Sequence, residues 1–236
     1  MNSVLIEKKD IHNNRITLNM KKSLHLYENV KVNIGDSLKV TILNEGLGQA
    51  RVVGADNELI TLEILEKMPG ITLPINLLIG ASRPPTMKKV LEHGTSMGVS
   101  SFEIFKAELS QKSYLQSKLY QDDDYKELID LGLEQSAVYF KRPTLRKTYS
   151  RKELNFENIK HKFILSPYAQ ANIGDFKIDK ALDSIFAIGP ERGWTNEELI
   201  FFRNQGFQEI KISPSILRVE IATFALLGQL NQMYNK

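Results

Sequence analysis

The first seventy residues alternate apolar and polar positions in short runs. The alternation is clearest over residues 15–20, and similar runs cover 36–43, 48–53 and 59–65. A period of two predicts half-buried β-strands, and the Asn, Gly and Asp residues between the runs favour turns. Short strands at this spacing predict a small β-barrel.

The pattern changes after Met68-Pro69-Gly70, which we interpret as a linker. Beyond residue 74, apolar runs typical of buried strands alternate with stretches of helical periodicity. Strands are predicted over 75–79, 101–105, 163–166 and 184–188 and near 210–213, and helices over 86–97, over 125–137 and from about 218 to 234. This alternation predicts an α/β domain with a parallel sheet and a ligand site beyond the carboxyl ends of its strands. The predicted domains are therefore 1–70 and 74–236.

Composition narrows the class of protein. The chain has 236 residues, 42% of them hydrophobic and 25% charged, with no cysteine and four scattered histidines. No apolar run approaches the roughly 20 residues of a membrane span, and the N-terminus lacks the layout of a secretory signal. Without cysteine, disulfides, thiolate metal sites and cysteine nucleophiles are excluded. We predict a cytoplasmic protein that uses neither a metal nor a membrane.

Basic residues concentrate over residues 141–162, called the basic segment below. It holds eight basic side chains and two acidic ones, whereas the whole chain has a net charge of only +3. Such a run is most often a solvated loop or helix face. Yet Tyr139, Phe140 and Tyr149 interleave with it, and cations beside rings that can stack on bases are an RNA-binding pattern.

Residues able to bind a ligand gather at three predicted strand ends. The first, Ser166-Pro167, is locally explained as a strand that a proline stops. At the second, Gly189 and Gly193 bound a loop, and Thr195 with Glu198 predicts a capping box that opens a helix. A well-capped turn explains the capping residues but not the Pro-Glu-Arg sequence between the two glycines. Either a structural turn or a ligand loop fits this stretch.

The third strand end leads through a Ser/Pro loop into the last helix, whose apolar stripe has helical spacing. Arg218 and Glu220 fall in the predicted first turn. The helix dipole favours Glu220 there and disfavours Arg218. Arg218 therefore needs another reason, which is either a salt bridge or an anionic substrate.

Together the three strand ends resemble the SPOUT superfamily of methyltransferases, and within it the bacterial family that methylates N3 of a uridine in 16S ribosomal RNA. Residues 189–193 resemble the family's G-P-E-G-G segment, and residues 217–222 resemble its L-R-x-E-T-A segment. Further matches are Ser82-Arg83 with residues 97–99, Glu134-Gln135-Ser136, and the region of His25 and Lys31. The similarity covers nearly the whole chain.

This resemblance implies the fold, the cofactor and the partners. It implies an α/β C-terminal parallel-sheet domain with a deep trefoil knot, preceded by a small PUA/OB-like β-barrel that binds RNA. It also implies a homodimer, with S-adenosylmethionine held in the knot largely by backbone groups of the three loops. The residues assigned to cofactor binding are Leu165, Ser166, Pro167, Gly189, Pro190, Glu191, Gly193, Ile212, Ser213, Leu217 and Ala222.

The resemblance also implies the chemistry. Uracil N3 carries a proton that must be lost before or during methylation, and a positive charge near the developing anion lowers that barrier. We assign this role to Arg218, and Glu191 or Glu220 would orient Arg218 or the cofactor amine; Arg218 and Glu220 are the predicted catalytic pair. The residues predicted to grip small-subunit ribosomal RNA are Lys31, Arg83, Arg142, Arg146, Lys147 and Arg151.

Several positions depart from the family pattern. Arg192 replaces a usual glycine and Ile221 a usual threonine, while Thr86 and His93 stand where lysine is common. The sequence of the cofactor loops therefore matches the family pattern better than the residues at the RNA-facing positions do. Two alternatives stay open: a methyltransferase acting on a ribose hydroxyl or on transfer RNA, and an RNA-binding ribosome-assembly factor that has lost catalysis.

Overall fold

The computed structural model describes residues 2–56, 58–121 and 124–234. The chain forms two compact units. The first runs through Thr72 and also takes in Leu133–Arg142, a segment that the sequence pattern had left within the α/β domain. The second comprises Leu73–Gly132 and the residues from Pro143 onward.

The first unit is built on a five-stranded sheet in the order β1-β3-β4-β5-β2. Its strands are β1 (Val4–Ile6), β2 (Arg15–Thr17), β3 (Ser37–Ile42), β4 (Gly46–Asp56) and β5 (Leu59–Met68). All neighbouring pairs are antiparallel except β1 with β3. Alternate residues of β5 are buried, as its sequence pattern predicts. In the described residues the sheet is open, with β1 and β2 at its edges, so these hydrogen bonds do not close a barrel.

The strand predicted over residues 15–20 is too long. β2 ends at Thr17, and Asn19 begins the helix α1 (Met20–His25) by accepting a hydrogen bond from the Lys22 amide at 3.0 Å. Asparagine is a strong helix N-cap because its side chain satisfies an amide that has no partner within the helix. This local bond outweighs the alternation of apolar and polar positions.

The segment Leu133–Arg142 supports the first strand of this unit. The Glu134 carbonyl accepts hydrogen bonds from the amides of Asn2 and Ser3, at 3.1 and 3.0 Å. The Glu134 carboxylate accepts a bond from the Leu5 amide and pairs with Lys22, both at 3.2 Å. Because Glu134 is almost fully buried, these bonds satisfy a charge that would otherwise be costly. The Glu134-Gln135-Ser136 motif therefore has a structural role in the first unit.

The second unit contains a six-stranded sheet in the order β11-β9-β10-β6-β7-β8, in which every neighbouring pair is parallel. The strands are β6 (Ile75–Gly80), β7 (Val99–Phe105), β8 (Thr144–Thr148), β9 (His161–Leu165), β10 (Ser184–Ile188) and β11 (Gln208–Ile210). The helices are α2 (Pro84–Ser96), α3 (Lys118–Gln121), α4 (Asp124–Ser136), α5 (Asn196–Asn204) and α6 (Val219–Tyr234), and the end of α4 belongs to the first unit. The prediction of an α/β fold with a parallel sheet is confirmed.

Both faces of this sheet are covered. Leu77 and Phe186 belong to the cluster that includes Leu91 of α2 and Leu226 of α6, among others. Their sequence neighbours Leu78 and Ala187 belong to a second cluster, which includes Phe202 of α5. Successive side chains of a strand point to opposite faces, so continuous apolar strands such as β10 are buried on both sides. Among the described residues, no helix combines the length and apolarity that crossing a membrane requires.

Candidate functional site

A cleft of about 960 Å³ lies at the carboxyl ends of the central strands of the second unit. The order β11-β9-β10-β6 brings together the loops that follow these strands. Each residue predicted to bind the cofactor lines the cleft, as do Arg83, Arg218 and Glu220. The rule that ligands bind beyond the carboxyl ends of parallel strands therefore points to a real cavity here.

The loop after β10 approaches β6 closely because position 80 is a glycine. A Cβ on Gly80 would lie 2.4 Å from Pro190 Cδ and 2.6 Å from Pro190 N. The loop closes on itself through a bond from the Gly193 amide to the Pro190 carbonyl at 2.8 Å. Gly193 has a φ of +75°, whereas Arg192 is not among the described residues of positive φ. Arg192 therefore fits the loop without the backbone freedom of the glycine that is usual there.

Glu191 holds this loop to the start of α2. Its Oε1 accepts hydrogen bonds from the Arg83 backbone amide at 2.9 Å and from Arg83 Nε at 3.4 Å. The Arg83 side chain is 67% exposed and the Glu191 side chain 28% exposed. Glu191 is thus placed to organise the cleft, and Arg83 already has a carboxylate partner.

The far end of the same loop is fixed by the predicted capping box, which the structure confirms. The Glu198 amide donates to Thr195 Oγ1 at 3.2 Å, and Glu198 Oε2 accepts from the Thr195 amide at 3.0 Å. The other carboxylate oxygen accepts from the Glu108 amide at 2.9 Å. Glu198 is fully buried, so three bonds fix α5 and the loop before it.

Trp194 packs against two aromatic rings, with its ring 5.1 Å from that of Phe202 and 6.4 Å from that of Phe105. Its indole Nε1 is buried and makes no hydrogen bond with the described residues. A Cβ on Gly189 would lie 3.3 Å from this nitrogen. Gly189 therefore leaves room beside the indole at the wall of the cleft.

The loop after β9 begins with a buried serine. The Ser166 amide donates to the Ile210 carbonyl at 3.0 Å, which continues the pairing of β9 with β11 for one residue. Ser166 Oγ accepts a weak bond from the Tyr168 amide at 3.4 Å. Tyr168 itself is 81% exposed and lines the cleft. The sequence pattern did not single out Tyr168, because no spacing rule marks an exposed aromatic side chain.

The loop before α6 starts earlier than predicted. β11 ends at Ile210 rather than near Ser213, since its partner β9 ends at Leu165 and the chain turns at Pro167. Beyond that point the Ile212 carbonyl accepts from Gln229 Nε2 of α6 at 3.2 Å, and the hydroxyls of Ser213 and Ser215 are 3.0 Å apart. These side-chain contacts, together with one backbone bridge between Lys211 and Asn172, therefore shape this loop.

Arg218 precedes α6 instead of lying in its first turn. Its carbonyl accepts a bond from the Ala222 amide at 2.8 Å, so it is the residue from which the helix begins. Glu220 lies in the first turn and is largely buried. The Arg218 side chain makes no hydrogen bond or ion pair with the described residues, so the salt bridge considered from the sequence is absent among them. The same is true of two further cations of the cleft, Lys89 and Arg192.

Five of the residues predicted to bind RNA do not line the cleft. Lys31 and Arg142 belong to the first unit. In the second unit, Arg146 donates to the Glu153 carbonyl at 2.9 Å, and Lys147 donates to the Tyr120 carbonyl at 3.3 Å. Arg151 pairs with Glu108 at 2.9 Å. These last three cations therefore have structural partners.

No group of three or more His, Asp or Glu residues suited to a metal occurs in the part of the chain that the structure describes.

A parallel sheet covered on both faces, with a polar cleft at the carboxyl ends of its strands, defines a ligand-binding α/β domain. The chain belongs to the RNA methyltransferase domain family, whose model matches residues 70–231. It is 29% identical over 214 residues to ribosomal RNA small subunit methyltransferase E 1 of Borreliella burgdorferi, with 89% of each chain covered. It is 28% identical to ribosomal RNA small subunit methyltransferase E of Treponema pallidum, covering 95% of this chain and 88% of that one.

Solved structures share the fold over the full length. The chain aligns with a TM-score of 0.81 and 20% identity to ribosomal RNA small subunit methyltransferase E from Neisseria gonorrhoeae bound to S-adenosyl methionine, covering 98% of both chains. A methyltransferase from Legionella pneumophila, in complex with the same cofactor, aligns with a TM-score of 0.82 and 20% identity, covering 99% of this chain and 98% of that one. At this identity the likeness supports the fold of both units.

Proposed function

We propose that this protein transfers a methyl group from S-adenosylmethionine to N3 of a uridine in 16S ribosomal RNA. The observation that carries the proposal is the cleft itself, in which the three loops meet beside Arg218, whose side chain has no partner among the described residues. Membership of the RNA methyltransferase family supplies the reaction class. The curated relatives named for methylation of small-subunit ribosomal RNA favour this substrate.

The residues of the cleft fit the proposed cofactor. Leu165, Ile188 and Leu217 offer apolar surface for an adenosine, and the volume of about 960 Å³ is ample for a ligand of this size. Glu191 and Glu220 supply negative charge toward a sulfonium and an amine. When bound, the cofactor supplies an electrophilic methyl group. The loops containing Ser166, Gly189 and Ser213 would hold it, largely through their backbones.

Arg218 and Glu220 have distinct roles in this proposal. Uracil N3 must lose its proton to solvent before or during attack, so negative charge develops on the base, and the C–S bond of the donor breaks to leave S-adenosylhomocysteine. The guanidinium of Arg218 stabilises that charge and orients the uracil. Glu220, largely buried in the first turn of α6, positions Arg218 or the cofactor amine.

The wider assembly follows from the same proposal. Residues 1–70 act as a barrel-like RNA-binding domain, and the domain over 74–236 threads a trefoil knot. Lys31, Arg83, Arg142, Arg146, Lys147 and Arg151 contribute contacts to RNA phosphates. The chain acts as a cytoplasmic homodimer, and Ile221, which is 47% exposed on α6, is one apolar side chain that a second subunit would cover.

The test is to map methylated nucleosides in ribosomal RNA from a strain that lacks this protein. We expect the loss of one N3-methyluridine from 16S ribosomal RNA, restored by the wild-type chain and not by Arg218→Ala. A missing ribose methyl, or a missing methyl in transfer RNA, would contradict the proposed substrate. Unchanged methylation together with no cofactor binding in calorimetry would instead support a non-catalytic assembly factor.

A further inference from the structure

The wall of the cleft carries the two most exposed large apolar side chains reported for the described residues. Tyr168 is 81% exposed and Ile216 is 79% exposed, and both line the cleft. An isolated exposed apolar side chain needs no explanation, but two at one ligand cleft mark a surface that a ligand can cover. Tyr168 follows β9 and Ile216 follows β11, two strands that pair directly.

The Tyr168 ring makes no hydrogen bond or ring contact within the described residues that would give it a structural role. Within the described residues, Tyr168 makes hydrogen bonds only through its main chain, with the amide donating to Ser166 Oγ at 3.4 Å and the carbonyl accepting from Gln170 Nε2 at 3.5 Å. Its ring contacts no other aromatic ring within the described residues. Its large exposed area is therefore free for a partner.

Arg192 lies on the neighbouring loop and has no structural role in the described residues either. β9 and β10 are adjacent, so the loops that contain Tyr168 and Arg192 leave the sheet side by side. Arg192 is exposed, lines the cleft and pairs with no carboxylate among the described residues. The backbone conformation of the loop does not require a particular residue at position 192 either, because the residue of positive φ in this loop is Gly193.

We propose that Tyr168 stacks on a base of the RNA strand in the cleft and that Arg192 binds a phosphate flanking this base. The inference rests on the proposed function and names residues that position its substrate. An exposed ring beside a free cation is how proteins bind unstacked single-stranded RNA: the ring covers a base, and the cation neutralises the backbone. Ile216 extends the apolar surface on the other side of the Tyr168 loop.

The experiment measures binding of the full-length protein, loaded with S-adenosylhomocysteine, to 16S ribosomal RNA from the deletion strain over a range of salt concentrations. Tyr168→Ala should weaken RNA binding about tenfold because one stacked base is lost, with an unchanged salt dependence. Tyr168→Phe keeps the ring and should stay within about twofold of wild type. Arg192→Ala should weaken binding and reduce the slope of log affinity against log salt by about 0.7, the value for one contact to a single strand.

Two controls keep the result specific. Arg203→Ala removes an exposed cation outside the cleft, which pairs with Glu209 at 2.6 Å, and should leave RNA affinity unchanged. Cofactor affinity, measured by calorimetry, and the melting temperature should match wild type in the Tyr168 and Arg192 variants, since both side chains are exposed.

Three outcomes overturn the inference. RNA binding by Tyr168→Ala equal to wild type removes the stacking role. A loss of cofactor affinity with unchanged RNA binding assigns the ring to the cofactor instead. Equal losses in Tyr168→Phe and Tyr168→Ala assign the effect to the hydroxyl. Because RNA binding is measured without turnover, a failure of the methylation assay alone would count against the proposed function and not against this inference.

Discussion

Two sets of cations in the second unit differ in what surrounds them. In the basic segment, Arg146, Lys147 and Arg151 donate to carbonyls or pair with carboxylates. In the cleft, Arg192 and Arg218 have no such partner among the described residues. The first set stands out in the sequence as a run of charge, whereas the second set is two isolated arginines 26 positions apart, at 192 and 218.

The difference teaches that charge density along the chain is a poor measure of available charge. A cation that already has a carboxylate partner gains little by exchanging it for a phosphate. A cation without a partner at a cleft keeps its full charge for a ligand, and the low-dielectric wall strengthens that interaction. We therefore expect the isolated arginines to contribute more to function than those of the basic segment.

Arg218→Ala should produce the largest effect. We expect kcat for methylation to fall by roughly 100-fold to 1,000-fold, because a preorganised charge beside the developing uracil anion is lost. Cofactor affinity, measured by calorimetry, should stay near wild type. Arg203→Ala serves as the control, and an Arg218→Ala enzyme with normal turnover would remove Arg218 from the mechanism.

Gly80→Ala tests whether the cleft depends on the close approach of its loops. The new Cβ would lie 2.4 Å from Pro190 Cδ, so the loop after β10 must move. We expect a loss of about 1–3 kcal/mol in the free energy of unfolding, together with weaker cofactor binding. The matched control is Gly174→Ala, where a Cβ would meet nothing within 4 Å. Equal free energies of unfolding and equal cofactor affinities in the two variants would show that the loop after β10 can move at little energetic cost.

Arg151→Ala tests the other side of the comparison. Arg151 pairs with Glu108, and its guanidinium lies 5.8 Å from the centre of the Phe201 ring. Denaturant unfolding should show a loss of up to about 1 kcal/mol in stability, as expected for a partly exposed ion pair. RNA affinity should change less than in Arg192→Ala. A larger loss of RNA affinity in Arg151→Ala than in Arg192→Ala would reverse the comparison.

Tyr120→Phe should have the smallest effect, and only at high pH. The Tyr120 carbonyl accepts the bond from Lys147, while its buried hydroxyl has no partner within the described residues. Burial raises the pKa of this hydroxyl above its ordinary value of 10.0. The Tyr120 hydroxyl therefore loses its proton at a lower pH in the unfolded chain than in the folded protein. As a result, the free energy of unfolding of the wild type falls as the pH rises above about 10.

Tyr120→Phe lacks this titration. Its free energy of unfolding should match or slightly exceed that of wild type at pH 8 and exceed it by a growing margin above pH 10. Identical pH profiles of the two proteins would mean that the hydroxyl ionises normally. The measurement is denaturant unfolding at a series of pH values.

Much of the second unit could be predicted from hydrophobic pattern. The strand over 184–188 has the predicted bounds because five buried apolar or small side chains leave no alternative register. The capping box at Thr195 is also as predicted, since its spacing alone defines the bonds. The residues expected at the cleft meet there because neighbouring parallel strands end at one edge of the sheet.

What the pattern missed depends on contacts distant in sequence. β8 was not predicted, because Thr144–Thr148 is a short strand inside the basic segment, and one of its two partly buried side chains is the charged Lys147. The role of Glu134 required its pairing with Leu5 and Lys22, more than a hundred positions away. Tyr168 was overlooked because only the fold reveals that its ring is left uncovered.

The bonds that Glu134 makes have a consequence for the order in which the protein is made. A growing chain that has emerged only as far as Thr72 carries five strands of the first unit but not the carbonyl that receives the amides of Asn2 and Ser3. It also lacks the carboxylate that pairs with Lys22. The amides of Asn2, Ser3 and Leu5 therefore lack their Glu134 partner until the chain has been synthesised that far, although β1 can already pair with β3. The part of the protein that is translated first is among the later parts to reach its final hydrogen bonding.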